Sequence, residues 1–196
     1  MNGSIGMSNC WNTTDPLMAA YHDEWGTPVH DDHVLFEFLC LEGMQAGLSW
    51  KQILSRRQNF RDVFSNFDPN LVAAYTEKDV IRLLSNPGII RNKRKIESII
   101  NNAGKFIEVQ RQHGSFDVYI WDFIKGKPLD SQLNSFNEMP AETAESRIIS
   151  NELKKRGFNF VGPTICYSFM QAVGMVNDHL VTCPRYQTIK QEQPNR

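Results

Sequence analysis

The sequence predicts an all-α protein, and three observations support this prediction. Apolar residues recur at the three- and four-residue spacing of a helix face and not at the alternating spacing of a strand. Residues that favour the start of a helix precede these runs. Glycine and proline separate one run from the next. The chain has 196 residues, enough for one well-buried core, so we expect a single compact helical unit.

Helical runs with recognisable starts and stops follow one another along the chain. The apolar positions that define them are Leu35, Phe38, Leu39; Ile96, Ile99, Ile100, Ala103, Phe106, Ile107; Ile148, Ile149, Leu153; Tyr167, Met170 and Val173. Helix starts are predicted at Asp68-Pro69, at Thr76 with Asp79 three residues on, and at Ser115, Thr143 and Pro163. Breaks are predicted at 86–88 and 157–162. We expect one domain over residues 7–186, with flexible ends at 1–6 and 187–196.

The composition is that of a soluble globular protein. Hydrophobic residues make up 41% and charged residues 22% of the chain. No apolar run approaches the roughly 20 residues that span a bilayer, and the N-terminus does not resemble a signal peptide. We therefore expect a cytoplasmic protein with no membrane partner, and a monomer by default. A net charge of -1 and a pI of about 6.5 fall short of the strongly basic character of many nucleic-acid binders.

Basic residues are nevertheless concentrated in three groups, each of which could also be an ordinary solvated helix face. They are Lys51, Arg56, Arg57, Arg61; Arg91, Lys93, Arg94, Lys95; and Lys154, Lys155, Arg156. The last group ends a predicted helix, and a glycine-bounded turn over 157–162 leads directly into the next helix. Lysines next to the exposed amides of a helix N-terminus can hold phosphates. This segment resembles the helix-hairpin-helix of DNA repair glycosylases.

Two Cys/His pairs lie near opposite ends of the chain: Cys10 with His22, and His179 with Cys183. Two thiolates and two imidazoles are a ligand set for tetrahedral Zn²⁺, and four protein ligands leave no position for a substrate. The four-residue step from His179 to Cys183 fits neighbouring helical turns or one tight turn. A reducing cytosol favours metal over a disulfide. The alternative is that these are unrelated buried residues, as we expect for Cys40 and Cys166 within apolar helices.

Glu42 occupies an unusual position for a carboxylate. It follows Leu35, Phe38 and Leu39 in an i, i+3, i+4, i+7 pattern. This spacing places Glu42 on the apolar face of a helix. An ionised carboxylate there is costly, so we expect a cation, a hydrogen-bond donor or a ligand beside it. Four aromatic residues are close in sequence and could form a cage for a flat cation with Glu42, or could simply pack in the core: Trp11, Tyr21, Trp25 and Trp50. Trp121 is expected in the core.

Four segments together resemble the 3-methyladenine DNA glycosylase I family of bacteria, from about Cys10 to Cys183. They are Tyr21-His-Asp-Glu-Trp-Gly26, Cys40-Leu-Glu-Gly-Met-Gln-Ala-Gly-Leu-Ser-Trp50, Gly88-Ile-Ile-Arg91, and Gly157-Phe-Asn-Phe-Val-Gly-Pro-Thr-Ile-Cys-Tyr-Ser-Phe-Met-Gln171 followed by Val176-Asn-Asp-His179. The resemblance implies an all-helical fold related to the helix-hairpin-helix glycosylases, with a structural zinc that joins the two ends. Its ligands would be Cys10, His22, His179 and Cys183.

The resemblance also implies roles for individual residues. Glu42 matches the glutamate that recognises the base, and Tyr21 and Trp50 match the aromatic residues that hold it. Trp11, Trp25 and Ser168 match other residues near the pocket. Asp178 is interpreted as support for the neighbouring His179. The chain departs from the family at Met18, where several relatives have tyrosine, and in a segment from Tyr21 to Gly26 that is one residue shorter than in some.

The activity that follows is excision of 3-methyladenine from alkylated DNA. The nucleotide is flipped out of the duplex, and aromatic rings replace its lost stacking. A negative charge on Glu42 would favour the cationic methylated base over ordinary adenine. Two other classes of function stay open at this point. One is a binding module that recognises alkylated DNA without cleavage, and the other is a zinc-stabilised interaction protein with no role on DNA.

Overall fold

A computed structural model describes residues 10–192, which form mostly α-helix, as the sequence predicts. In chain order the α-helices are α1 (Pro16–Glu24), α2 (Asp32–Gln45), α3 (Trp50–Leu54), α4 (Arg57–Val63), α5 (Pro69–Ala73), α6 (Glu77–Leu84), α7 (Lys93–His113), α8 (Phe116–Asp122), α9 (Ala144–Lys155), α10 (Pro163–Ala172) and α11 (Pro184–Glu192). Two 3₁₀ turns occupy Ser65–Phe67 and Phe136–Glu138. The predicted flexible end at 1–6, and the last part of the one at 187–196, lie outside the described residues.

The predicted helix starts are confirmed. The Asp68 carboxylate accepts hydrogen bonds from the first amides of α5, and the Ser115 hydroxyl accepts from the Val118 amide in α8. The Asp79 carboxylate accepts from the Thr76 amide at 2.9 Å, which closes a capping box at the start of α6. Thr143 and Ser146 form an equivalent capping box at α9, whereas α10 begins with Pro163 after Gly162 and has no side-chain cap. These local bonds satisfy amides that a helix leaves without partners.

Helix α2 forms the centre of the fold and has no solvated face along most of its length. All ten residues from 35 to 44 are buried, and α2 packs against α3, α7, α8 and α10. The prediction that Glu42 is buried is correct. The predicted pattern of one apolar face and one solvated face does not describe the helix, however, because Glu37 is buried as well. Ile148 lies in a predicted apolar helical run and is expected in the core, but it is exposed. Trp121, Cys40 and Cys166 are buried as expected.

A hairpin over 157–162 joins α9 to α10, and α7 fixes its shape. The side chain of Asn102 bonds both backbone groups of Asn159, accepting from its amide at 2.8 Å and donating to its carbonyl at 2.9 Å. Asn101 donates to the carbonyl of Gly157, which has a φ of +89°. A glycine adopts this left-handed conformation without the strain that a side chain would add. The hairpin is therefore fixed by α9 and α10 at its two ends and by the side chains of α7.

The N-terminal loop that follows α1 is docked onto the end of α10. The amides of Gly26 and Val29 donate to the carbonyls of Gln171 and Val173 at 3.1 and 3.0 Å. A Cβ on Gly174, which has a φ of +71°, would lie 2.4 Å from the carbonyl carbon of Thr27, so this approach requires glycine. The docking brings the start of the chain against the segment that leads to His179.

Two features near the C-terminal end were not predicted. Strands β1 (Leu129–Asp130) and β2 (Val176–Asn177) form a short parallel pair directly before Asp178. Helix α11 continues to Glu192 and fully buries Ile189, so residues 187–192 extend the helical body past the expected boundary at 186. The ammonium group of Lys190 anchors this helix to the Asp130 carboxylate at 2.9 Å. Within residues 10–192, no helix is long and apolar enough to cross a membrane.

Candidate active site and metal centre

A cavity of about 390 Å³ opens beside the centre of α2. All six residues that the sequence nominates for base binding line it: Trp11, Tyr21, Trp25, Glu42, Trp50 and Ser168. They come from the segment before α1, from α1 and the residue that follows it, and from α2, α3 and α10, so tertiary packing and not sequence proximity unites them. Helix α3 begins at Trp50 because Ser49 and Gln52 form a capping box, which fixes where the indole enters the cavity.

Glu42 contributes the carboxyl group that lines this cavity. Its side chain is 3% exposed, and within residues 10–192 its carboxyl group has neither a hydrogen-bond donor nor a cation as partner. Burial alone raises its pKa from 4.5 to about 8. Glu37 on the same helix is also buried, but its carboxylate binds Arg57 at 2.5 Å and Arg61 at 2.8 Å. Glu42 is therefore a buried acid that the described part of the chain leaves unpaired.

Aromatic rings form the wall next to Glu42. The ring of Tyr21 lies 5.2 Å from that of Trp50 and 5.8 Å from that of Trp11, between ring centroids, and Trp11 lies 5.1 Å from Trp25. Burial, with a further contribution from the nearby Glu42, raises the pKa of Tyr21 well above its usual value, so its hydroxyl is neutral. The indole N–H of Trp50 is buried and makes no well-formed hydrogen bond among the described residues, although it lies close enough to the Tyr21 hydroxyl to oppose part of the rise in its pKa. Flat apolar faces and a few unpaired polar atoms are typical of a site for a planar ligand.

The two Cys/His pairs meet in one buried cluster. The Cys10 sulfur lies 3.2 Å from His22 Nε2 and 3.5 Å from His179 Nδ1, and the Cys183 sulfur lies 3.5 and 3.6 Å from the same two nitrogens. All four ligand atoms lie within 4.8 Å of one another, so they could hold a metal ion. The cluster joins the N-terminal and C-terminal segments, as predicted. His179 and Cys183 meet across a tight turn, the second of the two predicted arrangements.

The protonation of the His179 imidazole suits a metal ligand. Its Nε2 atom donates to the backbone carbonyl of Trp25 at 2.9 Å, so Nδ1 carries the free lone pair that faces the two sulfurs. Burial lowers the pKa of this ring to about 4, which keeps it neutral. The Trp25 ring lies 4.8 Å from the His179 ring, between centroids. Trp25 thus contacts both the cluster and the cavity.

Comparison with known proteins identifies the family. Residues 11–186 match the family model of the methyladenine glycosylases. The chain belongs to the methyladenine glycosylase family. It is 50% identical over 182 residues to DNA-3-methyladenine glycosylase 1 of Escherichia coli, a match that covers 92% of this chain and 97% of the relative. It is 41% identical over 175 residues to DNA-3-methyladenine glycosylase of Haemophilus influenzae, covering 89% and 95% of the two chains.

Solved structures of methyladenine glycosylases have the same fold. The 3-methyladenine DNA glycosylase I of Staphylococcus aureus superimposes with a TM-score of 0.88 at 34% identity, over 97% of this chain and 98% of that one. A variant of a 3-methyladenine DNA glycosylase I, solved in complex with 3-methyladenine, superimposes with the same TM-score at 35% identity, over 90% and 96% of the chains. The predicted family and the helical fold are therefore confirmed.

Several residues of the methyladenine glycosylase cavity were not nominated from the sequence. Gln45 extends the wall formed by α2, and Phe136 and Met139 reach the cavity from the second 3₁₀ turn and its end. Met18, which the sequence did single out as a departure from the family, lies in the wall formed by α1. Gln171 lies on α10, three residues after Ser168 and so on the same face of that helix. This spacing is the one signal in the sequence that could have identified Gln171. The 3₁₀ turn carries no comparable pattern.

Two interpretations of charged residues are wrong. Asp178 does not support His179, because its carboxylate accepts from the Tyr167 hydroxyl at 2.5 Å and from Gln171 Nε2 at 2.7 Å. Lys95 does not belong to a basic surface, because its ammonium group is buried and donates to the backbone carbonyls of Met44 and Ala46 at 2.8 and 2.6 Å. Lys95 therefore caps the C-terminal end of α2, next to the loop that follows Glu42.

The other basic residues are divided between internal ion pairs and the surface. Arg57 and Arg61 bind buried or partly buried carboxylates, and Lys51 binds Asp15. Arg94 is exposed on α7 and lines a groove of about 490 Å³, together with Asn101 and Asn159 of the hairpin region. Arg94, from the second predicted basic group, is thus an exposed cation in the groove beside the hairpin.

Proposed function

We propose that this protein is a monofunctional DNA-3-methyladenine glycosylase that initiates base excision repair. It flips 3-methyladenine out of alkylated DNA and hydrolyses the N-glycosidic bond. The observation that carries this proposal is the unpaired, buried carboxyl group of Glu42 beside an aromatic cavity. The relatives that share the fold are named for the same activity.

The cavity binds the extruded base, and Tyr21 and Trp50, whose ring centroids lie 5.2 Å apart, together form the aromatic wall that holds it. Trp11, Trp25 and Ser168 complete the surface around it. Stacking on these rings offsets the stacking that the base loses when it leaves the duplex. The cavity therefore receives a planar base after it has been flipped.

Glu42 selects the methylated base through charge and is the catalytic residue. Methylation at N3 leaves adenine in DNA formally cationic, and a cation in the cavity supplies the partner that Glu42 lacks. In the free protein a pKa of about 8 keeps most of the carboxyl group protonated at neutral pH. Ionisation of Glu42 is favoured once the cationic base is next to it, because opposite charges attract strongly in low dielectric. Ordinary adenine is neutral and gives no such gain.

The chemical step needs little acid catalysis from the protein. The bond between C1′ and N9 breaks, and its electron pair moves onto the purine, which leaves as neutral 3-methyladenine. A water oxygen bonds to C1′ and releases a proton to solvent. The positive charge shifts from the base to the sugar as the bond breaks, so the carboxylate of Glu42 stabilises the transition state to the extent that it also lies close to C1′.

The hairpin and the adjacent groove hold the DNA backbone. The amides at the start of α10 and the exposed side chain of Arg94 are suited to phosphates. Such contacts carry no base sequence information, so binding to duplex DNA should weaken with salt and depend little on sequence.

The Cys/His cluster binds a structural Zn²⁺ in this proposal. Zinc–sulfur bonds of about 2.3 Å and zinc–nitrogen bonds of about 2.0–2.1 Å at a tetrahedral angle place sulfur and nitrogen about 3.6 Å apart. The four observed separations, 3.2 to 3.6 Å, are close to this value and support zinc. Cys10, His22, His179 and Cys183 would fill the coordination sphere, so the ion would stabilise the fold and take no part in hydrolysis.

The remaining features of the proposal are a monomeric, cytoplasmic protein with no membrane partner. A reducing cytoplasm keeps the thiols of Cys10 and Cys183 available for a metal. One glycosylase domain would begin near residue 7 and include α11, because Ile189 is part of the buried body.

The test is incubation with N-methylated duplex DNA, followed by chromatography of the released bases. We expect free 3-methyladenine well above the spontaneous rate. A protein that retains methylated DNA in a binding assay but releases no base would be a recognition module, and the proposed hydrolysis would be wrong. A protein with no salt-dependent affinity for DNA would have to act in another way.

A further inference from the structure

Gln171 lines the cavity but has no part in the function proposed above. Its side chain is 8% exposed, and its Nε2 atom lies 2.7 Å from the Asp178 carboxylate and 3.2 Å from the sulfur of Met139. Both neighbours accept hydrogen bonds. With the amide turned over, its carbonyl oxygen would lie against a carboxylate oxygen, so the nitrogen must occupy this side.

Asp178 is itself held through one of its carboxylate oxygens, whereas the other, Oδ1, is buried without a hydrogen-bond partner among the described residues. The hydroxyl of Tyr167 donates to the same carboxylate oxygen at 2.5 Å. Asp178 follows directly after β2, whose pairing with β1 fixes the backbone, and its side chain is 1% exposed. The amide of Gln171 is therefore bound to a rigid acceptor and cannot turn freely.

This arrangement determines which polar atom Gln171 offers to a ligand. The amide nitrogen of Gln171 has two hydrogens, and its two hydrogen-bond acceptors are Asp178 and Met139. Within the described part of the chain no donor reaches its Oε1 atom. The carbonyl oxygen is thus the polar atom of this side chain that is left for the cavity, where it adds a second acceptor to that of Glu42.

We propose that Gln171 is a specificity-determining residue, whose Oε1 accepts a hydrogen bond from the exocyclic amine of the extruded base, and that Asp178 is the positioning residue that keeps this oxygen turned towards it. The inference rests on the proposed function, because it assumes that 3-methyladenine occupies the cavity. It extends that function by explaining how the protein distinguishes an amine from a carbonyl at the same position of a purine.

The chemistry of the base favours this assignment. The positive charge of N3-methylated adenine draws electrons from the amine and makes its N–H groups stronger donors. A purine with a carbonyl in place of the amine would bring an acceptor against Oε1 in a buried site. Sites built around one hydrogen bond reject analogues that leave it unmade much more strongly than apolar pockets reject a change of size.

The test compares the binding of free 3-methyladenine with that of 3-methylhypoxanthine, which has a carbonyl in place of the amine. Quenching of tryptophan fluorescence reports both, since Trp11, Trp25 and Trp50 line the cavity. We expect the wild type to prefer 3-methyladenine by about tenfold or more, and Gln171→Met to lose most of this preference, because one buried polar contact is worth about a factor of ten. Methionine keeps the length of the side chain and removes the acceptor.

Asp178→Leu tests the positioning role. It should lower the preference in the wild-type background and change it little in the Gln171→Met background, because Asp178 acts through Gln171. Tyr167→Phe is the matched control. It removes the other donor to Asp178 and a contact with the Gln171 amide, but it keeps the bond from Gln171 to Asp178, so the preference should stay. Zinc content and circular dichroism show whether each variant is folded, and Gln171→Met alone decides the case if Asp178→Leu does not fold.

The results separate this inference from the proposed function. If the wild type releases 3-methyladenine from DNA and folded Gln171→Met keeps the wild-type preference, the inference is wrong and the proposed function stands. If Asp178→Leu lowers the preference equally in both backgrounds, Asp178 does not act through Gln171. A wild type that neither binds nor releases 3-methyladenine would overturn both.

Discussion

Glu37 and Glu42 are buried five residues apart on α2, and within the described residues only Glu37 is neutralised. Its carboxylate lies between Arg57 and Arg61, whereas that of Glu42 faces the cavity without a cation. The protein thus supplies the counter-charge for one buried acid and leaves the other to a ligand. A strongly perturbed acid in a cavity is typical of a functional site.

Replacing Glu42 with glutamine should stabilise the protein at alkaline pH. The pKa of Glu42 is about 8 when folded and close to its ordinary value of 4.5 when unfolded. Between these values the unfolded chain has released a proton that the folded protein retains, so the free energy of unfolding of the wild type falls as pH rises. The fall is complete above the folded pKa and amounts to at most about 5 kcal/mol. Urea unfolding at about pH 5 and pH 8.5 measures it.

The matched control for this experiment is Glu37→Gln. This change leaves Arg57 and Arg61 without their shared carboxylate and should destabilise the protein by about 3 kcal/mol at both pH values. Equal stability of the wild type and Glu42→Gln at the higher pH would show that Glu42 is not strained by burial.

Excision should depend on the ionisation of Glu42. We expect kcat/KM for release of 3-methyladenine from methylated DNA to rise with pH and to level above about pH 8, because this parameter reports groups of the free enzyme. Glu42→Gln should lower kcat/KM by about 10- to 100-fold and flatten the profile. The spontaneous release is subtracted at each pH. A wild-type profile already flat from about pH 6 to 8 would contradict the assigned role.

Much of the site could be predicted because local patterns report it. Glu42 stands out through its helical register with Leu35 and Phe38, and the ligand set stands out through its residue types. The register could not show that α2 is buried on all sides, since that depends on packing by distant helices. For the same reason, the sequence does not predict that Glu37 is buried.

Other features could not be predicted because they depend on contacts between distant segments. Lys95 belongs to a run of basic residues, and nothing near it in sequence shows that the end of α2 lies within its reach. Phe136 and Met139 come from a 3₁₀ turn without periodicity. Asp178 precedes His179 of the Cys/His cluster in sequence, but its side chain contacts Tyr167 and Gln171. The residues that surround a site in the fold therefore cannot be identified from those next to it in sequence.

Loss of the metal centre should destabilise the whole fold. The cluster joins residues as far apart as Cys10 and His179, 169 positions along the chain, so a bound ion closes a very long loop. We expect Cys183→Ala, or prolonged chelation, to lower the melting temperature by about 10 °C or more. Metal analysis should find one zinc per wild-type chain. Cys166→Ala, which removes a buried thiol outside the cluster, should keep the zinc. A fully folded, metal-free wild type would rule out this role.

Lys95 should control the loop between Glu42 and Trp50 without touching the base. Its ammonium group holds the carbonyls of Met44 and Ala46, so Lys95→Met leaves two buried acceptors unpaired and should cost about 2–3 kcal/mol in unfolding free energy. The loop is then free to shift, and we expect KM for methylated DNA to rise more than kcat falls. Lys93→Met removes an exposed ion pair with Glu77 and should change stability little, because solvent screens exposed ion pairs. Equal effects of the two substitutions on stability and on KM would show that the bonds of Lys95 do not hold the loop.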